Sequence, residues 1–182
     1  FYTPSANSAQ NITAAQTRDI YNGGIQDWMT LGGGAKAIVP LYTDRTASDA
    51  QLQFERLVLK NGTVSSPARQ IDDASRLLYF TAYDHTFNPG EDRYALGFGE
   101  YNPQGRWPII ADGDLKALSF DGINPTVANI ANKSYPLTYS YFAVFRADLP
   151  EDAPARKLAD WLQTSEGKTV IESANMIVPD SK

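Results

Sequence analysis

Apolar and polar positions change period several times along this chain, and each change marks a helix or a strand. Behind Phe1 and Tyr2 the first ten residues are polar and irregular. Thr13 then opens a capping box with Gln16 three residues on, which predicts a helix from Ala14 to about Tyr21. Asn22-Gly23-Gly24 stops it, because glycine takes the left-handed cap at no steric cost. The apolar run Ala37 to Tyr42 predicts a strand, with Pro40 implying an end or an edge. Ser48 caps a second helix through about Leu59, where Leu52, Phe54, Leu57 and Val58 make a mostly helical apolar face and Lys60-Asn-Gly62 is the stop. Asp72 to Tyr83 fits neither period cleanly, and helix is favoured for its first half. Tyr94 to Phe98 and Leu115 to Phe120 read as strands, while Asp84 to Glu91 and Asn102 to Asp114 are turn-rich and predict exposed loops. Thr126 caps a short helix through Ile130, after a sharp turn at Asp121-Gly122. Leu137 to Phe145, rich in aromatic and β-branched residues, is the clearest strand of all. Two closing helices run from Ala153 to Gln163 and from Ser165 to about Ala174. Helices interleaved with strands in this way imply an α/β layer architecture.

Composition narrows the picture. Of 182 residues, 42% are apolar and 12% aromatic, enough for a sizeable core and too much for wholesale disorder. A net charge of −5 argues against a nucleic-acid footprint and against a polybasic membrane surface. It leaves small anions open, since a few N–H groups and one arginine hold an anion inside a negative protein. The absence of cysteine excludes disulfides, thiolate metal sites and a thiol nucleophile. No apolar run is long enough to span a bilayer. No basic segment leads into an apolar one at the start, so Phe1-Tyr-Thr-Pro4 reads as an interior start. Sequons at Asn11, Asn61 and Asn132 are given little weight in a chain this rich in Asn, Ser and Thr.

Four stretches carry a family likeness. Ile12-Thr-Ala-Ala-Gln-Thr-Arg-Asp-Ile-Tyr-Asn-Gly-Gly-Ile-Gln-Asp-Trp28, followed by Leu31-Gly-Gly-Gly34 and a strand, is the most informative. Leu118-Ser-Phe-Asp-Gly-Ile-Asn-Pro-Thr126 with Asn129-Ile130, then Tyr135-Pro-Leu-Thr138, come next. Lys157-Leu-Ala-Asp-Trp-Leu-Gln-Thr-Ser-Glu-Gly167, ending Ile177-Val-Pro179, closes the series. In this order and spacing they resemble the phosphate-binding proteins that feed ABC transporters. The resemblance implies a periodic α/β fold of the periplasmic-binding-protein type, a two-lobe clamshell with its ligand at the hinge. It implies a crossing segment at 1–12, lobe two (a mixed sheet flanked by helices) at 13–122, and at 123–182 the returning C-terminal part of the other lobe. The N-terminal part of lobe one, with its anion-binding loop, has no counterpart in the sequence. Phosphate or a similar oxyanion, transporter membrane subunits and an extracytoplasmic, lipid-anchored setting are the implied partners and place. A homodimer, or a separate segment supplying the missing part, would complete the lobe.

The family's anion loop reads Arg-x-x-Gly-Ser-Gly-Thr before a helix with a Phe. Aligned on Phe54, the corresponding stretch here keeps Arg45 and Ser48, puts Ala47, Asp49 and Ala50 where Gly, Gly and Thr are usual, and is one residue shorter. The resemblance therefore places the ligand at Arg45, Thr46, Ser48 and Asp49. Arg45 offers a bidentate charged donor and Ser48 a hydroxyl. Asp49 either repels a second anion or accepts a hydrogen bond from a protonated one. Without the glycines, close backbone approach is harder.

Other residues have plainer readings. His85, the only histidine, predicts an exposed loop residue without a metal role. Asp112-Gly-Asp114 lacks the remaining ligands of a calcium loop. Asp72-Asp73 reads as a helix start, and Trp28, Trp107 and Trp161 as packing residues. No nucleophile–base pair, phosphate-loop lysine or metal cluster is visible, so a cofactor-free binding module is expected rather than an enzyme. The alternative is a module of the same fold that has lost its ligand and serves sensing or protein interaction, or a fragment of a longer binding protein.

Overall fold

The computed structural model describes residues 1–179 apart from 47, 61, 63, 66, 67 and 105. The sequon at Asn61 and the loop position Ala47 lie outside the described residues.

Strands β1 (Tyr2–Pro4) and β2 (Asn11–Ile12) precede helix α1 (Ala14–Tyr21). The capping box forms as the sequence predicts, with Gln16 N–H on Thr13 Oγ1 at 3.2 Å and Thr13 N–H on Gln16 Oε1 at 2.9 Å. Gly23 takes the positive φ (82°) just past the helix end. A 3-10 turn (Trp28–Leu31) leads to β3 (Ala37–Thr43). Helix α2 (Asp49–Gln53) continues without a break as a π-helix over Phe54–Leu59, which ends on left-handed Lys60. Then come β4 (Arg69–Ile71), α3 (Ala74–Phe87), β5 (Arg93–Leu96), β6 (Leu115–Ala117), β7 (Ser119–Phe120) and α4 (Val127–Ala131). Helices α5 (Pro154–Leu162) and α6 (Ser165–Ser173) close the chain.

The central layer is parallel, in the order β4-β3-β5. Tyr2 and Gly97 exchange backbone hydrogen bonds of 2.9 and 3.0 Å, which carries the layer on to β1. Strand β1 in turn pairs antiparallel with β6, and β2 pairs parallel with β7. Alternation along the strands then sorts side chains to two sides. Ile38, Leu96 and Phe98 join one apolar cluster with Ile20, Tyr21 and Phe54. Leu41 and Ala95 join the other, with Leu77, Leu78 and Ala82 of α3. Helices thus cover both faces, as a parallel sheet requires. Tyr21 is fully buried beneath the layer, and its hydroxyl donates to Leu41 O at 2.7 Å and lies 3.4 Å from Leu96 O, spanning two strands. At Gly97 a Cβ would lie 2.0 Å from Thr81 Oγ1, so only glycine lets α3 press this close to the sheet.

Several expectations need correction. Pro40 is not at an end of its strand but inside β3, opposite Leu96. Pairing with β4 begins only at Leu41, so one side of the strand is open at the proline. Leu115 to Phe120 is two strands, because Leu118 N–H turns to Phe1 O (3.0 Å) and the chain changes partner from β1 to β2. Helix α3 fills most of Asp72 to Tyr83 and runs on to Phe87, through the predicted loop. Asp73 caps it, accepting from Ser75 and Arg76 N–H at 2.8 and 3.1 Å. The extra turn is held by buried Asp84, which pairs with Arg93 at 2.7 Å and Arg69 at 3.2 Å. His85 accordingly sits in the last turn of α3, half-buried and edge-on to Tyr94 at 5.4 Å, not in an exposed loop.

The largest difference is Leu137 to Phe145. This stretch is not in a strand: among the described residues no ladder takes it up and none of its backbone groups bonds to another backbone group. Phe142 and Val144 are 82% and 88% exposed. The residues have strand character, but a strand exists only beside a neighbour, and among the described residues no other strand lies alongside. Helices α5 and α6 form where predicted and pack on each other, yet α5 buries none of its side chains.

Candidate functional site

Strand β3 lies at the centre of the parallel layer, and its carboxyl end delivers the chain into the loop 44–48 and then α2. The predicted residues Arg45, Thr46, Ser48 and Asp49 all fall on this loop or the first helical position after it. The structure brings them together in sequence but gives each a partner of its own. Asp44 Oδ1 accepts from Thr46 N–H at 2.9 Å and from Thr46 Oγ1 at 2.7 Å. Those two bonds, the hydroxyl's first, hold the Asp44 carboxyl below its usual range. Arg45 Nε donates to Glu55 Oε2 at 2.5 Å, with the arginine side chain 66% exposed. Ser48 Oγ caps the helix, accepting from Gln51 N–H at 3.2 Å, and lies 3.4 Å from Thr43 Oγ1. Asp49 Oδ2 lies 3.3 Å from the Tyr141 hydroxyl.

Two residues lock the loop from below. Gln51 is buried, and its amide oxygen accepts from Thr43 N–H at 3.1 Å while its nitrogen donates to Glu55 Oε1 at 2.8 Å. Glu55 therefore holds Gln51 with one oxygen and Arg45 with the other. A cleft of about 440 Å³ opens beside them, lined among others by Asp44, Arg45, Glu55, Tyr42 and Gln70. Of the four predicted residues only Arg45 lines it; Thr46, Ser48 and Asp49 are not part of its wall. Two carboxylates flank the single arginine of the cleft. An arriving anion must compete with both for the same donors.

Across the loop, residues 139–141 approach from the segment after α4. Tyr139 and Tyr141 hydroxyls both reach Glu100, each at 3.0 Å. Sequence reasoning missed Glu100, Tyr139 and Tyr141, and also Asp44, Gln51 and Glu55. The signals present were the alternation Tyr139-x-Tyr141 and the position of Glu100 just beyond the carboxyl end of β5. In open α/β sheets ligands bind in the crevice outside the carboxyl ends of the strands. Among the described residues no group of three or more His, Cys, Asp and Glu side chains is placed to hold a metal ion. Asp114 instead accepts from Tyr83 at 2.8 Å, and Asp72 pairs with Arg76 at 2.8 Å within α3's first turn.

The sequence profile described as a PBP superfamily domain matches residues 1–166. This chain belongs to the PBP superfamily. Solved structures of similar fold accompany that match. One is an ABC-type phosphate transport receptor from Vibrio cholerae, 22% identical, with 98% of this PBP chain and 68% of the receptor covered at a TM-score of 0.72. PstS from Borrelia burgdorferi is 19% identical, with 99% and 68% covered and a TM-score of 0.68. A protein from Clostridium perfringens, assigned as a phosphate ABC transporter substrate-binding protein and solved with bound phosphate, is 21% identical, with 98% and 67% covered and a TM-score of 0.65. At these identities the likeness is one of fold. About a third of each of those chains has no counterpart in this PBP sequence. No curated protein sequence matches it. Among the described residues no helix is long and apolar enough to cross a membrane.

Proposed function

We propose that this chain is the ligand-holding part of an extracytoplasmic solute-binding protein that serves an ABC transporter. It takes phosphate or another small oxyanion at Arg45, Thr46, Ser48 and Asp49, and hands it to the transporter's membrane subunits. It acts by binding, not catalysis. The observation that carries this reading is topological: the four residues leave the central parallel strand at its carboxyl end, where crevice ligands sit in sheets of this kind. The superfamily match supports the ligand class, as do the similar structures, a phosphate-bound binding protein and a phosphate transport receptor.

Binding in this scheme is an exchange of partners. Arg45 is two-thirds exposed, so its guanidinium leaves Glu55 for the anion with little loss of packing. Thr46 gives up Asp44 in the same way and offers one N–H and one hydroxyl. Closure of the segment 123–179 over the loop then excludes water and strengthens each new bond. A second reading keeps the fold and drops the ligand. What favours it is that Arg45 Nε and both donors of Thr46 already face carboxylates within the chain.

Calorimetric titration of phosphate into phosphate-free protein, with sulfate in parallel, separates the two. Saturable binding that disappears in Arg45→Ala is the expected result. No heat with either anion, in protein shown to be folded, selects the ligand-free reading.

A further inference from the structure

A second cavity, of about 290 Å³, lies where β1 and β6 meet the stretch that follows β5, and it shares no wall residue with the cleft beside Arg45. Buried Tyr2 and half-buried Trp107 supply aromatic surface, their rings edge to face at 5.3 Å. The Tyr2 hydroxyl donates to Glu100 O at 3.1 Å, which fixes its ring. Tyr101 and Gln104 add polar groups to the wall. Asn102 organises the same stretch: its Oδ1 accepts from Gln104 N–H at 2.9 Å, and its Nδ2 donates to Arg106 O at 2.5 Å.

We propose that this cavity is a second ligand site and that it takes one neutral monosaccharide ring. The proposal stands apart from the oxyanion reading. Charge is the first argument. Among the described residues no acidic or basic side chain lines the cavity, whereas Asp44, Arg45 and Glu55 all line the other cleft. A charged ligand would give up its water here and meet no counter-charge.

Hydrogen bonding is the second. The Trp28 indole N–H donates to Tyr94 O at 2.9 Å, and that of Trp161 lies 3.3 Å from Glu166 Oε2. Among the described residues the Trp107 indole N–H, the Tyr101 hydroxyl and the Gln104 side-chain amide have no such partner. The indole only donates, while the hydroxyl and the amide both donate and accept. A pyranose matches this set: its hydroxyls do both, and its C–H face, slightly positive, suits the negative face of an aromatic ring. A proline-rich peptide would use the same rings, but its prolines lack N–H groups and leave the Gln104 amide oxygen unmatched. Such a peptide also advances about 3.1 Å per residue along an open groove. This cavity is at the small end for a ligand pocket and suits a single ring.

The test titrates glucose, galactose and mannose separately into isotope-labelled protein and follows the tryptophan indole N–H resonances by NMR. The Trp107 resonance, identified by its loss in Trp107→Phe, moves saturably with at least one sugar in the millimolar range, while those of Trp28 and Trp161 stay in place. Gln104→Ala, at an exposed position, weakens that binding by about fivefold. An unchanged thermal transition confirms that each variant is folded. Glucuronate, a similar ring with a carboxylate, binds about fivefold more weakly than glucose or worse. A Trp107 resonance unmoved by all three sugars in the folded wild-type protein overturns the inference. Full-strength binding in Gln104→Ala, or glucuronate binding as tightly as glucose, overturns it too. Movement with a tetraproline peptide and not with the sugars replaces the sugar by a proline-rich segment. Phosphate is titrated separately, so a failed oxyanion reading leaves each of these outcomes as it stands.

Discussion

The layer formed by residues 2–120 and the segment from Leu137 onward contrast sharply. In the first, Ile20, Tyr21, Trp28, Leu41 and Leu96 have no exposed surface at all, and helices cover both faces of a paired sheet. In the second, Tyr141, Phe142, Val144, Leu158, Val170 and Met176 are all exposed. Hydrophobicity is similar in the two regions, so it is not what separates them. The first region supplies its own neighbours and the second does not. Local propensity writes an element, but burial requires a surface to meet, and among the described residues most of 137–179 meets little of one. About a third of each similar structure lies outside the part matched here.

The contrast predicts an ordered set of mutational costs, read as free energies from urea unfolding. Asp84→Ala is the most damaging, at about 3–5 kcal/mol, because it leaves Arg93 and Arg69 without the buried carboxylate they share. A cost below ~1 kcal/mol would mean that α3's last turn is not held by this ion pair. Thr13→Ala removes one capping bond of α1 and costs ~1 kcal/mol. Phe142→Ser, a drastic change by composition, costs within about 0.5 kcal/mol because its ring is already in water. A loss of several kcal/mol at Phe142 would break the comparison, by showing that residues 137–145 are packed in solution.

How much the sequence disclosed follows the same division. Helix α1 was legible residue by residue, because a capping box and a glycine stop are local signals. The starts of α2 and α4 at Ser48 and Thr126 were legible for the same reason. The extent of α3 was not, since Asp84 is stabilised by Arg69 and Arg93, which lie on two other strands. Leu137 to Phe145 misled in the opposite direction: its strand pattern is genuine, but pairing is a property of two segments. At the candidate site, the loop carrying Arg45 and Ser48 could be located by position. Its partners could not, because Glu55 meets Arg45 ten residues on and Tyr141 meets Glu100 across 41.

Tyr21 gives the protein an internal report on its own alkaline limit. Burial beneath the sheet raises this phenol's pKa well above 10.0. A phenol whose folded pKa exceeds its unfolded one contributes stability that is complete below about pH 10 and is lost as pH climbs towards the folded value. Tyr21 releases its proton only when the sheet above it opens. Phenolate absorbance followed through base should accordingly rise in two stages, and the second, steep and cooperative, times the separation of β3 from β5.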